Sequence, residues 1–415
     1  KESNAQPTLQ HASNKQPLLI NNAHHATHNR EGVLVSSMAI SNKISNQPAA
    51  LIAIITLASA AAVTLAFQQH QKKTTAANRN HPKNNMSSYL SKEAMIEAAG
   101  PPSLPDGFIV DSFTNSRSQS IFTIHLPRAD MSVPPKAMFV LVHGTAEHCC
   151  RKGYIGLYES LSKAGVDVYS MDNHGNGRSD GEPRGYTESI DDYVEETIEY
   201  IQLVQKSKYE QDQCPPLVVM GHSLGGCIAV MTALKMGSGK SDISLILSSP
   251  ALGVDMNLEL KVQKFFAPVI DFVSPKARIV DVVDPVEMSR NEKAVKAYID
   301  DPLCPIGKMI AHTAIATDKA FDYAKQRRGE IYCPTLMLHS PDDKCTSQKA
   351  SEDFFANIGT ALEDKRYLKL NGMYHETLEE PETERIVKSI VTFVASGGKE
   401  FVEDVGNGGV VEMFL

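Results

Sequence analysis

The residues best suited to do chemistry lie around Ser223. The segment Gly221 to Gly225 reads Gly-His-Ser-Leu-Gly, follows the apolar run 217–220 and precedes a helix-forming stretch at 228–235. A Gly-X-Ser-X-Gly pattern between a strand and a helix is typical of a nucleophile elbow, a turn so tight that its glycines leave room for the bent backbone. We therefore predict that the Ser223 hydroxyl stands at the carboxyl edge of a sheet, where it acts as a nucleophile.

A serine hydroxyl is inert at its own pKa and needs a base, which in turn needs a carboxylate to hold its tautomer. In a chain with this elbow the acid and then the base follow the serine, each at the end of a later strand. The predicted strand 367–370 leads into a loop that ends in His375, and His375 is followed by a helix that begins after Pro381. We therefore predict that His375 is the base.

The predicted strand 333–339 places an acid at the required position in the chain. It runs into Ser-Pro-Asp-Asp-Lys, so spacing alone allows Asp342 or Asp343.

Two backbone amides should form the oxyanion hole. One is that of Leu224, directly after the nucleophile, and the other lies in the loop 143–145 after the predicted strand 137–142.

Predicted strands and helices alternate with short links from about residue 137 to 248, after two antiparallel strands at 108–112 and 120–125. This alternation indicates an α/β fold, a mostly parallel sheet with helices on both faces and the site at the carboxyl edge. Between about 251 and 330 the alternation stops and a helical, mixed apolar segment intervenes. We predict that this segment is a cap over the site, which would exclude water.

The chain resembles the monoacylglycerol lipase and lysophospholipase family of α/β-hydrolases from about Gly107 to about Ser396. The motifs that carry the resemblance are the segments 143–148, 172–181, 221–226, 301–303 and 343–346. The resemblance implies the α/β-hydrolase fold and a serine hydrolase that cleaves monoacylglycerols through an acyl-enzyme, with no cofactor and no metal. A lysophospholipase and a general carboxylesterase are the alternatives within the enzymes. A non-catalytic hydrolase scaffold that binds a lipid is the alternative outside them.

The same resemblance assigns residues by position. It implies that Asp343 is the acid and that the backbone amide of Thr145 is the second oxyanion donor. It also implies that Glu147, Arg151 and Tyr298 recognise a glycerol head group, with a surface salt bridge as the alternative for this set.

The net charge of −8 argues against a nucleic-acid partner. The expected partner is an acyl glycerolipid.

The first hundred residues have a different composition from the rest. We predict a disordered tail at 1–48, a hydrophobic segment of nineteen residues without a charge at 49–67, and a linker at 68–99. The hydrolase domain is predicted at 100–398, followed by a flexible tail at 399–415. The seven cysteines are scattered and odd in number, which favours free thiols in a reducing compartment.

The segment 49–67 suggests attachment to a membrane. It is just long enough to cross a bilayer, and Lys72 and Lys73 follow it closely. By the positive-inside rule the catalytic domain would then be cytosolic, facing a membrane surface. Two alternatives remain open: a cleaved secretory or organellar targeting segment, of a product that begins at Met38, and a buried helix.

Overall fold

A single large sheet organises the part of the chain that the computed structural model describes, which is residues 90–210, 213–237, 243–255, 258–281, 284–402 and 409–414. The strands are β1 (Ile109–Thr114), β2 (Ser120–Leu126), β3 (Met138–Val142), β4 (Asp167–Met171), β5 (Leu217–His222), β6 (Ile243–Ser248), β7 (Arg278–Asp281), β8 (Lys308–Ile310), β9 (Thr335–His339), β10 (Lys365–Asn371) and β11 (Val410–Phe414). Within the described ranges, nine of them pair in the order β1-β2-β4-β3-β5-β6-β9-β10-β11, and β7 and β8 form a separate antiparallel pair.

The sheet is parallel except at one edge, where β2 pairs antiparallel with both β1 and β4. Strands β3, β4, β5, β6 and β9 are buried at every residue. Such fully buried runs occur where helices cover both faces of a parallel sheet. In β3, Met138, Val140 and Val142 enter one apolar core and Phe139 and Leu141 enter the other. The predicted two-faced α/β sheet is confirmed.

The structure describes the following helices, of which only some contribute to the two cores. They are α1 (Lys92–Ala99), α2 (Lys152–Lys163), α3 (Ile190–Lys208), α4 (Leu224–Met236), α5 (Leu258–Val273), α6 (Glu292–Asp300), α7 (Ala311–Arg327), α8 (Gln348–Asn357) and α9 (Thr383–Ala395). Apolar residues of α3, α4 and α7 fill the first core, and those of α2 and α9 fill the second. Packed helices thus cover both faces of the sheet.

The predicted cap corresponds to the chain between β6 and β9. It contains α5, α6 and α7, and also the β7-β8 pair, which the sequence analysis did not predict. Helix α7 differs from a simple lid, because Ala316, Ala320 and Ala324 pack into the first core. Small side chains allow this helix to approach the sheet-covering helices closely, so part of the inserted segment belongs to the body of the domain.

The two ends of the domain are more ordered than predicted. Helix α1 lies inside the expected linker, begins at the Ser91 cap and buries Met95. Strand β11 lies inside the expected flexible tail and pairs in parallel with β10, burying Met413. A flexible tail is therefore wrong for Val410–Phe414. A short strand after a glycine-rich stretch has little signal of its own, because its partner decides whether it forms.

The segment 49–67 and the predicted tail 1–48 lie outside the described residues. Within the described ranges, none of the helices combines the length and the apolar character that crossing a bilayer requires.

Candidate active site

Ser223 occupies a strained turn between β5 and α4. Its φ is 53°, a left-handed backbone conformation that is uncommon for residues other than glycine. A Cβ added at Gly221 would lie 2.0 Å from the carbonyl oxygen of Gly225, and one added at Gly225 would lie 2.1 Å from that of Val142. Only glycine fits at either position, so the backbone has the geometry predicted for a nucleophile elbow.

Backbone hydrogen bonds fix the turn in place. The Ser223 amide donates to the Ser248 carbonyl at 3.0 Å, and the Ser223 carbonyl accepts from the Ala251 amide at 2.8 Å. Both partners belong to the end of β6 and the loop after it. Because β5 and β6 are neighbours in the sheet, these bonds hold the turn at the carboxyl edge.

His375 and Asp343 meet at this edge. His375 Nδ1 lies 2.8 Å from Asp343 Oδ2, and both side chains are buried. Burial raises the pKa of Asp343, but the charge of His375 and a hydrogen bond from His339 outweigh it and hold that pKa well below its usual range. The carboxylate is therefore ionised at neutral pH, as the partner of a catalytic histidine must be.

Asp342 faces a different partner. Its Oδ2 accepts from the Gly372 amide at 2.9 Å, on the loop after β10. The structure thus brings Asp343, not Asp342, to His375. Asp342 does not cap the helix that follows it, because the Ser347 hydroxyl accepts from the Ala350 amide and caps α8.

Asp343 is held by more groups than the sequence analysis predicted. Its Oδ1 accepts from the amides of Cys345 and Thr346 at 2.7 and 3.1 Å. Its Oδ2 also contacts His339 Nε2 at 3.0 Å and the Thr346 hydroxyl at 3.0 Å. His339 is the last residue of β9, four positions before Asp343, so its place at a strand's carboxyl end was the available signal.

His375 is linked to the elbow from two sides. The Ser249 hydroxyl donates to the His375 carbonyl at 2.8 Å. Ser249 directly follows Ser248, whose carbonyl accepts from the Ser223 amide. The imidazole rings of His222 and His375 have centroids 4.8 Å apart. These contacts connect His375 to the loop after β6 and to His222, the residue before Ser223.

The predicted oxyanion donors lie in one cleft. Thr145 and Leu224 both line it, together with Asn173, Arg278 and Thr313 among others. A Cβ added at Gly144 would lie 2.8 Å from the Ser223 Cβ, so the loop that carries Thr145 runs directly past Ser223. The Gly144 amide itself donates to Glu147 Oε1, which leaves the following amide as the candidate.

Glu147, Arg151 and Tyr298 do not face this cleft. All three are buried, with 2%, 6% and 6% of their surface exposed. Arg151 contacts Glu147 at 3.1 Å and lies over the Tyr298 ring at 4.9 Å, and the Tyr298 hydroxyl donates to the Ala146 carbonyl at 3.1 Å. Recognition of a head group by these residues therefore stays a prediction, and the structure shows them bonded to one another. The alternative of a salt bridge is closer, although it is a buried one behind the site.

This network continues to the residue after His375. Arg151 contacts Glu376 at 2.7 Å and Glu379 at 3.0 Å, and His222 Nε2 lies 3.6 Å from Glu376 Oε2. Burial lowers the pKa of His222, but the charge of Glu376 outweighs it and raises that pKa to about 9. Burial raises the pKa of Glu379. The buried Arg151 and His222 thus each have a carboxylate partner, because an unpaired buried charge would be strongly destabilising.

Comparison with solved structures identifies the fold. A crystal structure of the monoacylglycerol lipase of Paleococcus ferrophilus superposes with a TM-score of 0.56 and 28% identity, covering 67% of this chain and 99% of that one. The sheet, the elbow and the helical insertion therefore define an α/β-hydrolase.

The sequence places the family. The model for the hydrolase family described as serine aminopeptidase, S33, matches residues 133–382, and the chain belongs to this family. The monoacylglycerol lipase of Mycolicibacterium smegmatis is 26% identical over 66% of this chain and 92% of the relative. The rat monoglyceride lipase is 27% identical over 63% of this chain and 83% of the relative. The resemblance drawn from the motifs is confirmed.

Proposed function

We propose that the protein is a serine hydrolase that cleaves the ester bond of monoacylglycerols to give a fatty acid and glycerol. The contact of 2.8 Å between His375 Nδ1 and Asp343 Oδ2, at the same sheet edge as the strained Ser223, carries the proposal. The relatives named as monoacylglycerol and monoglyceride lipases support the substrate class.

The proposed reaction has two halves. Ser223 Oγ attacks the ester carbonyl while His375 Nε2 accepts its proton, and Asp343 holds Nδ1–H in the required tautomer. The amides of Thr145 and Leu224 donate to the tetrahedral oxyanion, each worth roughly 3 kcal/mol of transition-state stabilisation. His375 then protonates the leaving glycerol. In the second half His375 activates a water, which releases the fatty acid from Ser223.

One observation favours a second substrate class. Arg278 and Lys308, from the β7-β8 pair, line the same cleft as Thr145 and Leu224. Cationic side chains near the head-group end of a lipid would attract a phosphate, because Arg and Lys bind phosphate oxygens through charge-assisted hydrogen bonds. Lysophospholipids are therefore the competing substrate. With the three predicted head-group residues buried in their own network, the β7-β8 pair is the candidate region for head-group selection.

A substrate panel tests the proposal on the purified full-length chain. It compares monoacylglycerol, diacylglycerol and lysophospholipid turnover, with an aminoacyl arylamide to test peptidase activity and a simple carboxylester to test an unselective esterase. We expect the highest kcat/KM with monoacylglycerol. A preference for lysophospholipid of about tenfold or more would overturn the substrate class.

A fluorophosphonate probe tests the nucleophile separately from the substrate. We expect labelling of the folded wild type that disappears in Ser223→Ala and persists in Ser207→Ala, a matched change at an exposed serine of α3. Absence of labelling in folded wild-type protein would support the alternative of a lipid-binding scaffold without catalysis.

We also propose that the enzyme works at a membrane surface. At the end of α5, Phe272 and Val273 are 88% and 61% exposed. Large apolar side chains in such positions insert into the interfacial region of a bilayer. Sedimentation of the full-length chain with lipid vesicles should weaken for Phe272→Asp and stay unchanged for Val286→Asp, a control at a residue that is 58% exposed elsewhere. If both variants lose vesicle binding equally, the end of α5 is not the part of the protein that contacts the membrane.

The further proposal of an anchor at 49–67, with the catalytic domain in the cytosol, has its own test. Alkaline carbonate extraction of cell membranes should leave the full-length protein in the pellet. Its release into the supernatant, or removal of the segment in the mature protein, would favour the alternative of a targeting segment.

A further inference from the structure

Two adjacent thiols lie between the oxyanion loop and α2 and have no part in the proposed reaction. Cys149 is fully buried, Cys150 is half-buried, and their Sγ atoms are 3.8 Å apart. Both are free thiols. Cys150 is thus the member of the pair that is partly exposed, whereas Cys149 is not.

The surroundings of the two thiols differ in a way that assigns them different chemistry. The contact with the Cys149 sulfur, with His148 as a smaller influence, lowers the pKa of Cys150 to about 7, although burial opposes this. The Cys150 amide donates to His148 Nδ1 at 3.2 Å, which keeps the imidazole beside this residue. Burial raises the pKa of Cys149 well above its usual value. His148 is held in place by Asp301 Oδ2 at 2.8 Å from its Nε2. A thiolate beside a histidine is the reactive form of cysteine, and a neighbouring protonated thiol is a suitable resolving partner.

We propose that Cys149 and Cys150 form a modification site for hydroperoxides, at which the two thiols are oxidised to a disulfide between adjacent residues. The Cys150 thiolate attacks the peroxide, the O–O bond breaks, and hydroxide or alkoxide leaves, giving a sulfenic acid on Cys150. The Cys149 sulfur then attacks the Cys150 sulfur. The sulfenic oxygen leaves as water with the Cys149 proton. The two thiols lose two electrons in total, and the peroxide gains them.

The disulfide would distort the backbone around it. Adjacent Cα atoms are about 3.8 Å apart, whereas disulfides usually need about 4.4–6.8 Å, so the ring is strained and easily reduced. The reduced backbone is held by the Cys149 amide on Asp172 Oδ1 at 2.8 Å and by the Tyr158 hydroxyl on the Cys149 carbonyl at 3.2 Å. Closing the ring would weaken these contacts, which makes the modification reversible by thiols.

The distortion would reach the active site through Arg151, the next residue. Arg151 holds Glu147 and Glu376. Glu147 in turn accepts from the Gly144 amide, just before Thr145, and Glu376 follows His375 directly. Oxidation therefore displaces both the oxyanion loop and the base and lowers activity. This consequence rests on the proposed function, whereas the thiol chemistry does not.

The experiment treats the reduced full-length protein with hydrogen peroxide, then measures ester hydrolysis and maps the cysteines by peptide mass spectrometry. In the wild type we expect the peptide that contains Cys149 and Cys150 to lose two hydrogens, and activity to fall about tenfold or more. Dithiothreitol should restore both. The variant Cys150→Ser should form no disulfide and keep its activity in peroxide. The matched variant Cys214→Ser, at an exposed cysteine, should behave like the wild type.

Other outcomes overturn the proposal. Equal loss of activity in Cys150→Ser, or a disulfide that joins Cys150 to Cys304, would do so. If Cys150→Ser does not fold, dimedone trapping in Cys149→Ser and in the wild type decides, because a sulfenic acid on any cysteine other than Cys150 contradicts the site. Absence of ester turnover before peroxide would refute the proposed function and leave the mass spectrometry as the test of the thiols.

Discussion

Asp342 and Asp343 are neighbouring carboxylates, and their contacts give them different tasks. The Asp343 carboxylate forms hydrogen bonds with His375, His339 and two backbone amides. The Asp342 carboxylate instead accepts a hydrogen bond from an amide on the loop after β10. Spacing in the sequence could not separate them, because both follow the same strand. The difference arises only where the loop after β10 comes back to the end of β9.

This pair gives a matched prediction. Asp343→Asn should lower kcat by roughly 10³–10⁴-fold, because an amide no longer holds the His375 tautomer. Asp342→Asn should change kcat by less than about threefold, since it affects only a loop hydrogen bond. Steady-state kinetics of both variants, with circular dichroism to check folding, would measure this. A comparable loss in both variants would contradict the assignment.

His222 should make stability depend on pH. Its pKa in the folded protein is raised from 6.5 to about 9, so folding favours its protonated form. The stabilisation is fully present below pH 6.5 and is lost as pH rises through about 9, with an upper limit of about 3 kcal/mol. Denaturant unfolding at pH 6.5 and pH 9 should show this decrease in the wild type.

The control is His222→Gln, which cannot titrate and should show a smaller decrease over the same range. If that variant does not fold, NMR titration of the wild-type imidazole serves instead. A His222 that deprotonates near pH 6.5 would contradict the prediction.

At the scale of elements, the elbow depends on how closely α4 approaches β3. Because a Cβ at Gly225 would lie 2.1 Å from the backbone oxygen of Val142, the helix and strand would have to separate to accept any side chain. Gly225→Ala should therefore reduce the free energy of unfolding by about 3 kcal/mol or more and abolish fluorophosphonate labelling.

Gly156→Ala is the matched control for this substitution. Gly156 lies in α2, and a Cβ there would have nothing within 4 Å. Because alanine favours helices, that variant should gain about 0.5–1 kcal/mol. Thermal unfolding compares the two, and a similar effect in both would show that the close approach to β3 is not what requires glycine.

The cap also shows how an element differs from its sequence pattern. The break in alternation between β6 and β9 predicted an inserted segment, and one is present. Its three alanines at 316, 320 and 324 recur every four residues, but such small side chains give a weak apolar signal, and in the structure they pack α7 into the first core. Propensity alone does not reveal this, because close packing of small residues depends on the surface they meet.

At the scale of the whole molecule, the far edge of the sheet is closed by a strand from the end of the described chain. Strand β11 pairs with β10 and buries Met413 completely. Met413→Ala should therefore destabilise the domain by about 2–5 kcal/mol, through lost burial and the cavity left behind. Met131→Ala, at a residue that is 62% exposed, should change stability by less than about 0.5 kcal/mol.

Urea unfolding of both methionine variants would measure this. Unchanged stability in Met413→Ala would mean that β11 does not contribute to the folded domain in solution. Loss of activity in the same variant is not expected under conditions where it remains folded, because β11 lies at the sheet edge, beyond β10.

The sequence by itself determined the elbow, the two-faced sheet and the inserted segment, and it singled out His375 as the predicted base. Each of these rests on local pattern: glycines around a serine, buried apolar runs, and the order of loops after strands. Spacing left Asp342 and Asp343 open and only the resemblance favoured Asp343, whose contact with His375 is a matter of tertiary structure. Only the tertiary structure showed that His339 contacts Asp343 and that Glu147, Arg151 and Tyr298 form a buried network. The physical reason is that side-chain partners come from distant segments, and their burial depends on packing that no local window contains.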